Sequence, residues 1–211
     1  MIDMNKLKDL MTNMDEPAVY QAVTEVMTDG GDEALAALEV CQEAMTEIGN
    51  RYEAGTYFIG DLLFASEIMT AVVDILKPAL SAGSMTKLGK LVICTVKGDI
   101  HDIGKNIVKG MLEAAGFDVI DLGIDVTPAQ IIETVNAEEV TIVALSGVLT
   151  LALRSMQDVV SAFIAAGVRE KVRIIIGGNP VTADACAIIG ADEWSNSPQK
   201  GVEICRAWAS A

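Results

Sequence analysis

A bundle of amphipathic helices followed by a doubly wound α/β domain is the fold class that this 211-residue chain predicts. Three observations carry it. The apolar period is helical up to about residue 84, a stretch of proline and small residues then breaks the pattern, and short β-branched apolar runs alternate with helical segments beyond it. With 51% hydrophobic residues and a positive mean hydropathy, the chain can bury one sizeable core or two small ones.

In the first part, Leu38, Cys41, Met45, Ile48 and Tyr52 line one helical stripe, and Leu62, Ala65, Met69, Val72 and Leu76 line another. Asp15 and Pro17 suit a helix N-terminus. Gly30-Gly31-Asp32 reads as a break with Asp32 as the next cap, and Gly55 and Gly60 bracket a further turn. These signals give one short helix and three longer ones, a four-helix-type bundle. Pro78 and Ser81-Ala82-Gly83-Ser84 interrupt the pattern and divide the chain into domains at 1–86 and 87–211.

The second part reads as strand 91–96, helix 102–115, strand 118–122, helix 127–136, strand 140–145, helix 152–166, strand 172–176, helix 181–189, a short strand at 192–194 and a last helix at 198–209. Strands that alternate with helices pair in parallel, and their continuous apolar runs suit burial on both faces. Gly116, Gly167 and Gly190 stand where helix C-termini take a left-handed residue. The expectation is a five-stranded, doubly wound sheet of the flavodoxin or Rossmann-like kind. Such sheets bind ligands outside the carboxyl ends of their strands, so chemistry is sought in the loops after residues 96, 122, 146 and 176.

The formal net charge of -15 opposes contact with a phosphate backbone or an anionic bilayer, so neither a nucleic acid nor a membrane is expected as partner. No apolar run reaches the length of a membrane span. The N-terminus, with Asp3, Lys6, Lys8 and Asp9, lacks a signal-peptide core, which favours a cytoplasmic protein. Cys41, Cys94, Cys186 and Cys205 are widely spaced with no CxxC pair, the pattern of reduced cysteines used as small hydrophobes.

The loop after the first strand, Lys97-Gly98-Asp99-Ile100-His101-Asp102-Ile103-Gly104-Lys105-Asn106, carries the single histidine of the chain between two carboxylates. Imidazole is a good metal ligand, and an aspartate that accepts its other ring N–H fixes the tautomer and strengthens the donor. A surface histidine with Asp102 capping the next helix reads equally well from spacing alone, because one imidazole cannot close a zinc site.

The set Asp99-x-His101-x-x-Gly104, Ser146-x-Val148 and Gly177-Gly178, with 41 positions between the first and second elements and 28 between the second and third, resembles the signature of the cobalamin-binding family. That family includes the cobalamin module of methionine synthase and the corrinoid proteins of methyltransferase systems. The resemblance extends to Gly49-Asn50-Arg51-Tyr52-Glu53-Ala54-Gly55 and Ala65-Ser66-Glu67-Ile68-Met69, which look like the helical cap of that family. It implies a cobalt cofactor, cycling between methylcobalamin and cob(I)alamin, whose lower nucleotide leaves the metal and is replaced by His101, with Asp99 orienting the ring. Gly98, Ile100, Asp102 and Gly104 would border the cofactor, Ser146, Val148 and Thr150 would meet the corrin and its tail, and Gly177 and Gly178 would let backbone approach the buried base. Tyr52 and Ile59 fall where the cap faces the upper ligand, although Tyr52 also lies on the core stripe and Ile59 and Leu62 suit core positions.

Two departures from the family pattern stand out. Val148 replaces a leucine, and Ala152 stands where methionine synthase has a serine that extends the His–Asp pair into a proton relay, so the relay is expected to be shortened. The family implies a non-catalytic carrier of methyl groups. Its partners would be a substrate-specific methyltransferase, an acceptor methyltransferase and a reductive activase. The competing readings are a cobalamin-dependent sensor, for which no basic helix-turn-helix segment is present, and the small subunit of an adenosylcobalamin mutase, which generally lacks the helical cap.

Overall fold

The structure, a computed structural model, describes residues 3–80 and 88–210. Two compact units partition the chain: Met1–Thr86 with Ala114–Gly116, and Lys87–Glu113 with Phe117–Ala211. The boundary signal Ser81-Ala82-Gly83-Ser84 lies outside the described residues.

The first unit contains α1 (Met4–Thr12), α2 (Glu16–Thr28), α3 (Ala34–Glu53) and α4 (Ile59–Leu76). Asp3 and Asp15 accept hydrogen bonds from the first free N–H groups of α1 and α2, and Pro17 sits in the first turn of α2, where its missing N–H costs nothing. The cap of α3 is Glu33 rather than Asp32, one residue later than the break suggested. Gly60 does not bracket the turn but lies inside the first turn of α4, whereas Gly55 does turn the chain, with a left-handed φ of 73°. The 54–58 turn is tied down by Arg51. Its guanidinium lies 5.4 Å from the centre of the Tyr57 ring and donates to the Tyr57 hydroxyl, which donates in turn to the Thr12 carbonyl. Both expected stripes are buried at Leu38, Cys41, Ile48, Leu62, Met69 and Leu76. Each such side chain stabilises the bundle by about 1.5–3 kcal/mol relative to exposure.

The second unit runs β1 (Gly89–Thr95), α5 (Ile103–Ala114), β2 (Phe117–Asp121), α6 (Pro128–Glu138), β3 (Ile142–Ser146), α7 (Ala152–Ala165), β4 (Arg173–Gly177), α8 (Ala183–Ile189), β5 (Glu193–Ser195) and α9 (Pro198–Ala209). The sheet is parallel throughout, in the order β2-β1-β3-β4-β5. Burial on both faces holds for β1, β3 and most of β4, but β2 is half-buried because it is the edge strand. Gly116, Gly167 and Gly190 all have a left-handed φ. Thr127 and Gln130 form a capping box at the start of α6, with Pro128 at its first position.

The chain connections reverse direction between β1 and β3, so the crevice of this fold opens where the loops after those two strands separate. Register sets the depth. Thr95 of β1 pairs with Ser146 of β3, and Ser146 pairs with Gly177 of β4, so the three motif elements leave adjacent strands at one level.

Candidate functional site

Asp99, 1% exposed, is the hub of the crevice. One carboxylate oxygen accepts from the His101 backbone N–H at 3.0 Å and lies 2.8 Å from His101 Nδ1. The other accepts from the Val148 and Leu149 N–H groups at 2.7 and 2.9 Å, so the loop after β1 is bonded to the loop after β3. Burial alone would push the Asp99 carboxyl up. The hydrogen bonds from the Leu149 and His101 N–H groups, the His101 ring and the Val148 N–H outweigh it and hold the group well below the usual carboxylate range. An ionised Asp99 keeps the proton on Nδ1, which leaves the Nε2 lone pair of a half-exposed imidazole free to bind.

This network differs from a hydroxyl relay. Beyond His101, the partners of Asp99 are backbone amides, which neither supply nor take up a proton. Ala152 is buried at the start of α7, and its Cβ would lie 2.4 Å from a Cβ placed on Gly147.

The glycines have separable reasons. A Cβ on Gly178, whose φ is 124°, would sit 1.9 Å from the Gly147 carbonyl oxygen, so this glycine is required by the packing of the loop after β4 on the loop after β3. A Cβ on Gly177 would lie 3.1 Å from the Ser195 carbonyl oxygen, a tight approach. A Cβ on Gly104, in contrast, would meet nothing within 4 Å, so that the first turn of α5 borders open space. Gly98 turns the His101 loop with a φ of 83°. Asp102 makes no hydrogen bond to the His101 ring. It faces α5, its carboxylate accepting from the Asn106 side chain and its carbonyl from the Asn106 N–H.

Ser146 is half-buried at the end of β3 and its hydroxyl makes no hydrogen bond among the described residues; Thr150 is exposed in the following turn. Around them the loops after β1, β2 and β3 expose Ile100, Ile103, Ile124, Val148, Leu149 and Leu151, the last to 79%. So much apolar surface around one polar centre marks a binding surface. Of these six, Ile100, Ile103 and Val148 fall within the sequence motif. In the helical unit Ile59 is 47% exposed beside exposed Phe58, Leu63 and Phe64, Tyr52 is half-buried, and Leu62 is core.

Sequence reasoning passed over the residues that hold the loop in place. Ser155 of α7 donates to the Lys97 carbonyl, Asp125 accepts from the Gly98 N–H and Lys97, and Lys105, 2% exposed, is held by Asp121 and Asn106. A lysine one position after a glycine reads as solvated, and nothing in its spacing announces burial.

A large flat metal-bearing ring fits this surface: a half-exposed imidazole, exposed apolar side chains in the surrounding loops and open space beside Gly104. Among the described residues no group of three or more His, Cys, Asp or Glu side chains converges on a metal. All four cysteines are buried and free, and burial pushes the Cys41, Cys94 and Cys205 thiols up to about 12.

Fold and site together define a cofactor-binding module of the B12 class. Residues 89–194 match one B12 binding domain model and residues 4–77 match a second. The chain is 36% identical to the trimethylamine corrinoid protein 1 of Methanosarcina mazei, over 91% of this chain and 90% of that protein. Its fold superposes on a cobalamin-binding protein from Desulfitobacterium hafniense with a TM-score of 0.86 and 46% identity, covering 99% of both chains. The methanol:cobalamin methyltransferase complex from Methanosarcina barkeri shares the fold at a TM-score of 0.81 and 22% identity, covering 97% of this chain and 78% of that one. The chain belongs to the B12-binding family of corrinoid proteins. No helix among the described residues is long and apolar enough to cross a membrane.

Proposed function

We propose that the chain carries a methyl group on a cobalamin bound with its own lower base displaced and His101 on the metal, with residues 87–211 as the cofactor domain and 1–86 as its cap. The observation that carries this reading is the His101–Asp99 pair, 2.8 Å apart, in a half-exposed imidazole that follows the exposed Ile100. The bound corrinoid supplies the chemistry of accepting and releasing the methyl group.

The residues of the chain do the rest. Asp99 retains the Nδ1 proton on the ring and aims Nε2, and the Val148 and Leu149 amides keep Asp99 charged and in place. Ile100, Val148 and Leu149 exclude water from the ring face, while Ser146 and Thr150 offer hydroxyls to its polar periphery. Gly104 leaves room for a tail beside α5. Tyr52 and Ile59, with exposed Phe58, would cover the upper face. A methyltransferase would load the carrier, an acceptor methyltransferase would unload it and a reductive activase would restore it. The name of the trimethylamine relative supports a small methylated compound as the donor.

The test is reconstitution of the apoprotein with hydroxocobalamin, followed by gel filtration and absorbance spectroscopy beside His101→Ala. Stoichiometric co-elution with a base-off spectrum that changes in His101→Ala is the expected result. Absence of binding, or identical spectra for the two proteins, would overturn it.

A further inference from the structure

We propose that Asp125, in the loop after β2, is a positioning residue for His101, acting through the backbone of the ligand loop. This inference rests on the proposed role of His101.

Asp125 holds that loop at three points. Its backbone N–H donates to the Asp99 carbonyl at 3.1 Å. One oxygen of its carboxylate accepts from the Gly98 N–H at 2.8 Å and the other from Lys97 Nζ at 2.9 Å. Three consecutive residues, Lys97, Gly98 and Asp99, are therefore fixed to one residue of the neighbouring loop. The Gly98 contact matters most, because Gly98 has a φ of 83° and is the pivot on which the chain turns from β1 toward His101.

Asp125 adopts a left-handed conformation itself, with a φ of 54°, which non-glycine residues avoid. Strain of that kind persists where surrounding contacts over-determine it. Here they are the three bonds above and the parallel bridge between Val96 and Val126 on either side of the clamp. The Asp125 carboxyl is held below its usual range, first by the Gly98 N–H and then by Lys97, in keeping with an acceptor engaged on both oxygens.

The consequence for the site is geometric. Asp99 receives amides from the loop after β3, Lys97 receives the Ser155 hydroxyl from α7, and Asp125 supplies the grip from the β2 side. Without that grip the Gly98 turn is free to relax, and the His101 ring and its Asp99 partner lose a common frame. Partners bonded directly to a metal ligand, as Asp99 is to His101, typically change affinity 10–100-fold when removed, and Asp125, one step further out, is expected at the lower end of that range.

The experiment compares wild type, Asp125→Ala, Asp125→Gly, Asp125→Asn and His101→Ala, each reconstituted with aquacobalamin and read by absorbance and by Kd. Circular dichroism of the apoproteins checks folding. Asp125→Gly tolerates the left-handed φ and loses the carboxylate alone, which keeps the test valid if Asp125→Ala unfolds. The expected result is a Kd raised about tenfold or more in Asp125→Gly, with the spectrum shifted toward that of His101→Ala. Asp125→Asn, whose amide oxygen still accepts from Gly98 and whose side chain suits the left-handed region, recovers most of both. A histidine-dependent wild-type spectrum that Asp125→Gly leaves unchanged, with unchanged Kd, would overturn this inference alone. A wild-type spectrum unaffected by His101→Ala would overturn the ligand reading and the inference together.

Discussion

The two units of the chain present apolar surface in different ways. In the α/β unit it surrounds a polar hub, Asp99, whose bonds fix His101 and two loops at once. In the helical unit Phe58 and Ile59 stand at the start of α4 behind a turn held by Arg51 and Tyr57, and among the described residues of that unit no carboxylate is buried. Charge divides the same way. Residues 1–86 carry four basic against fifteen acidic side chains, while residues 87–211 carry eleven against fifteen. A side chain that is aimed requires hydrogen bonds, and an exposed apolar face requires little beyond its area.

Substitutions in the α/β loops should therefore cost stability as well as cofactor binding. Gly178→Ala has the largest expected effect, on the order of 4 kcal/mol, because the added Cβ meets the Gly147 carbonyl and the φ is one that side chains avoid. Urea unfolding of the apoprotein measures it; a change below 1 kcal/mol would mean that the two loops part easily. Asp99→Ala removes the acceptor of three backbone N–H groups and should cost on the order of 3 kcal/mol by the same measurement. Asp99→Asn, which keeps an acceptor oxygen, should cost less.

The pH dependence sharpens the contrast. The carboxyl of Asp99 is depressed in the folded protein, so its contribution is complete above the ordinary carboxylate value and drains away as the pH falls through that value, about 4, toward the lower folded one. Melting temperatures of wild type should fall more steeply over that acid range than those of Asp99→Asn. Parallel curves would show that the Asp99 network contributes no charge-dependent stability. Ile59→Ala has the smallest expected effect on folding, below about 0.5 kcal/mol, since the side chain is largely exposed. Photolysis of bound methylcobalamin reads its proposed covering role, and a faster loss of the methyl group is expected.

The placement of the motif residues was legible where each stands at or just after a strand end. His101, Asp99, Ser146 and the Gly177-Gly178 pair stand in loops whose register the parallel sheet fixes, so sequence spacing translates directly into position. Asp125 was not legible, because its grip runs through backbone N–H groups and a left-handed φ, neither of which a residue letter reports. Lys105 was hidden for a related reason: its burial depends on Asp121, sixteen residues away at the end of β2. In the bundle, buried and exposed apolar residues share one helical period. Leu62 and Ile59 therefore read alike, and only packing makes the first buried and the second exposed. The cap of α3 and the place of Gly60 differ from expectation by a residue or a turn, the usual uncertainty of helix ends.

The most direct test of the central claim uses the fact that the chain has a single histidine. Electron paramagnetic resonance of bound cob(II)alamin reports the axial nitrogen through its nuclear spin, which gives a triplet for ordinary nitrogen and a doublet for the heavy isotope. Protein grown with nitrogen-15 histidine should convert the triplet to a doublet, placing His101 on the metal. A triplet that survives the labelling would leave the nitrogen to the cofactor's own base and contradict the assignment of His101.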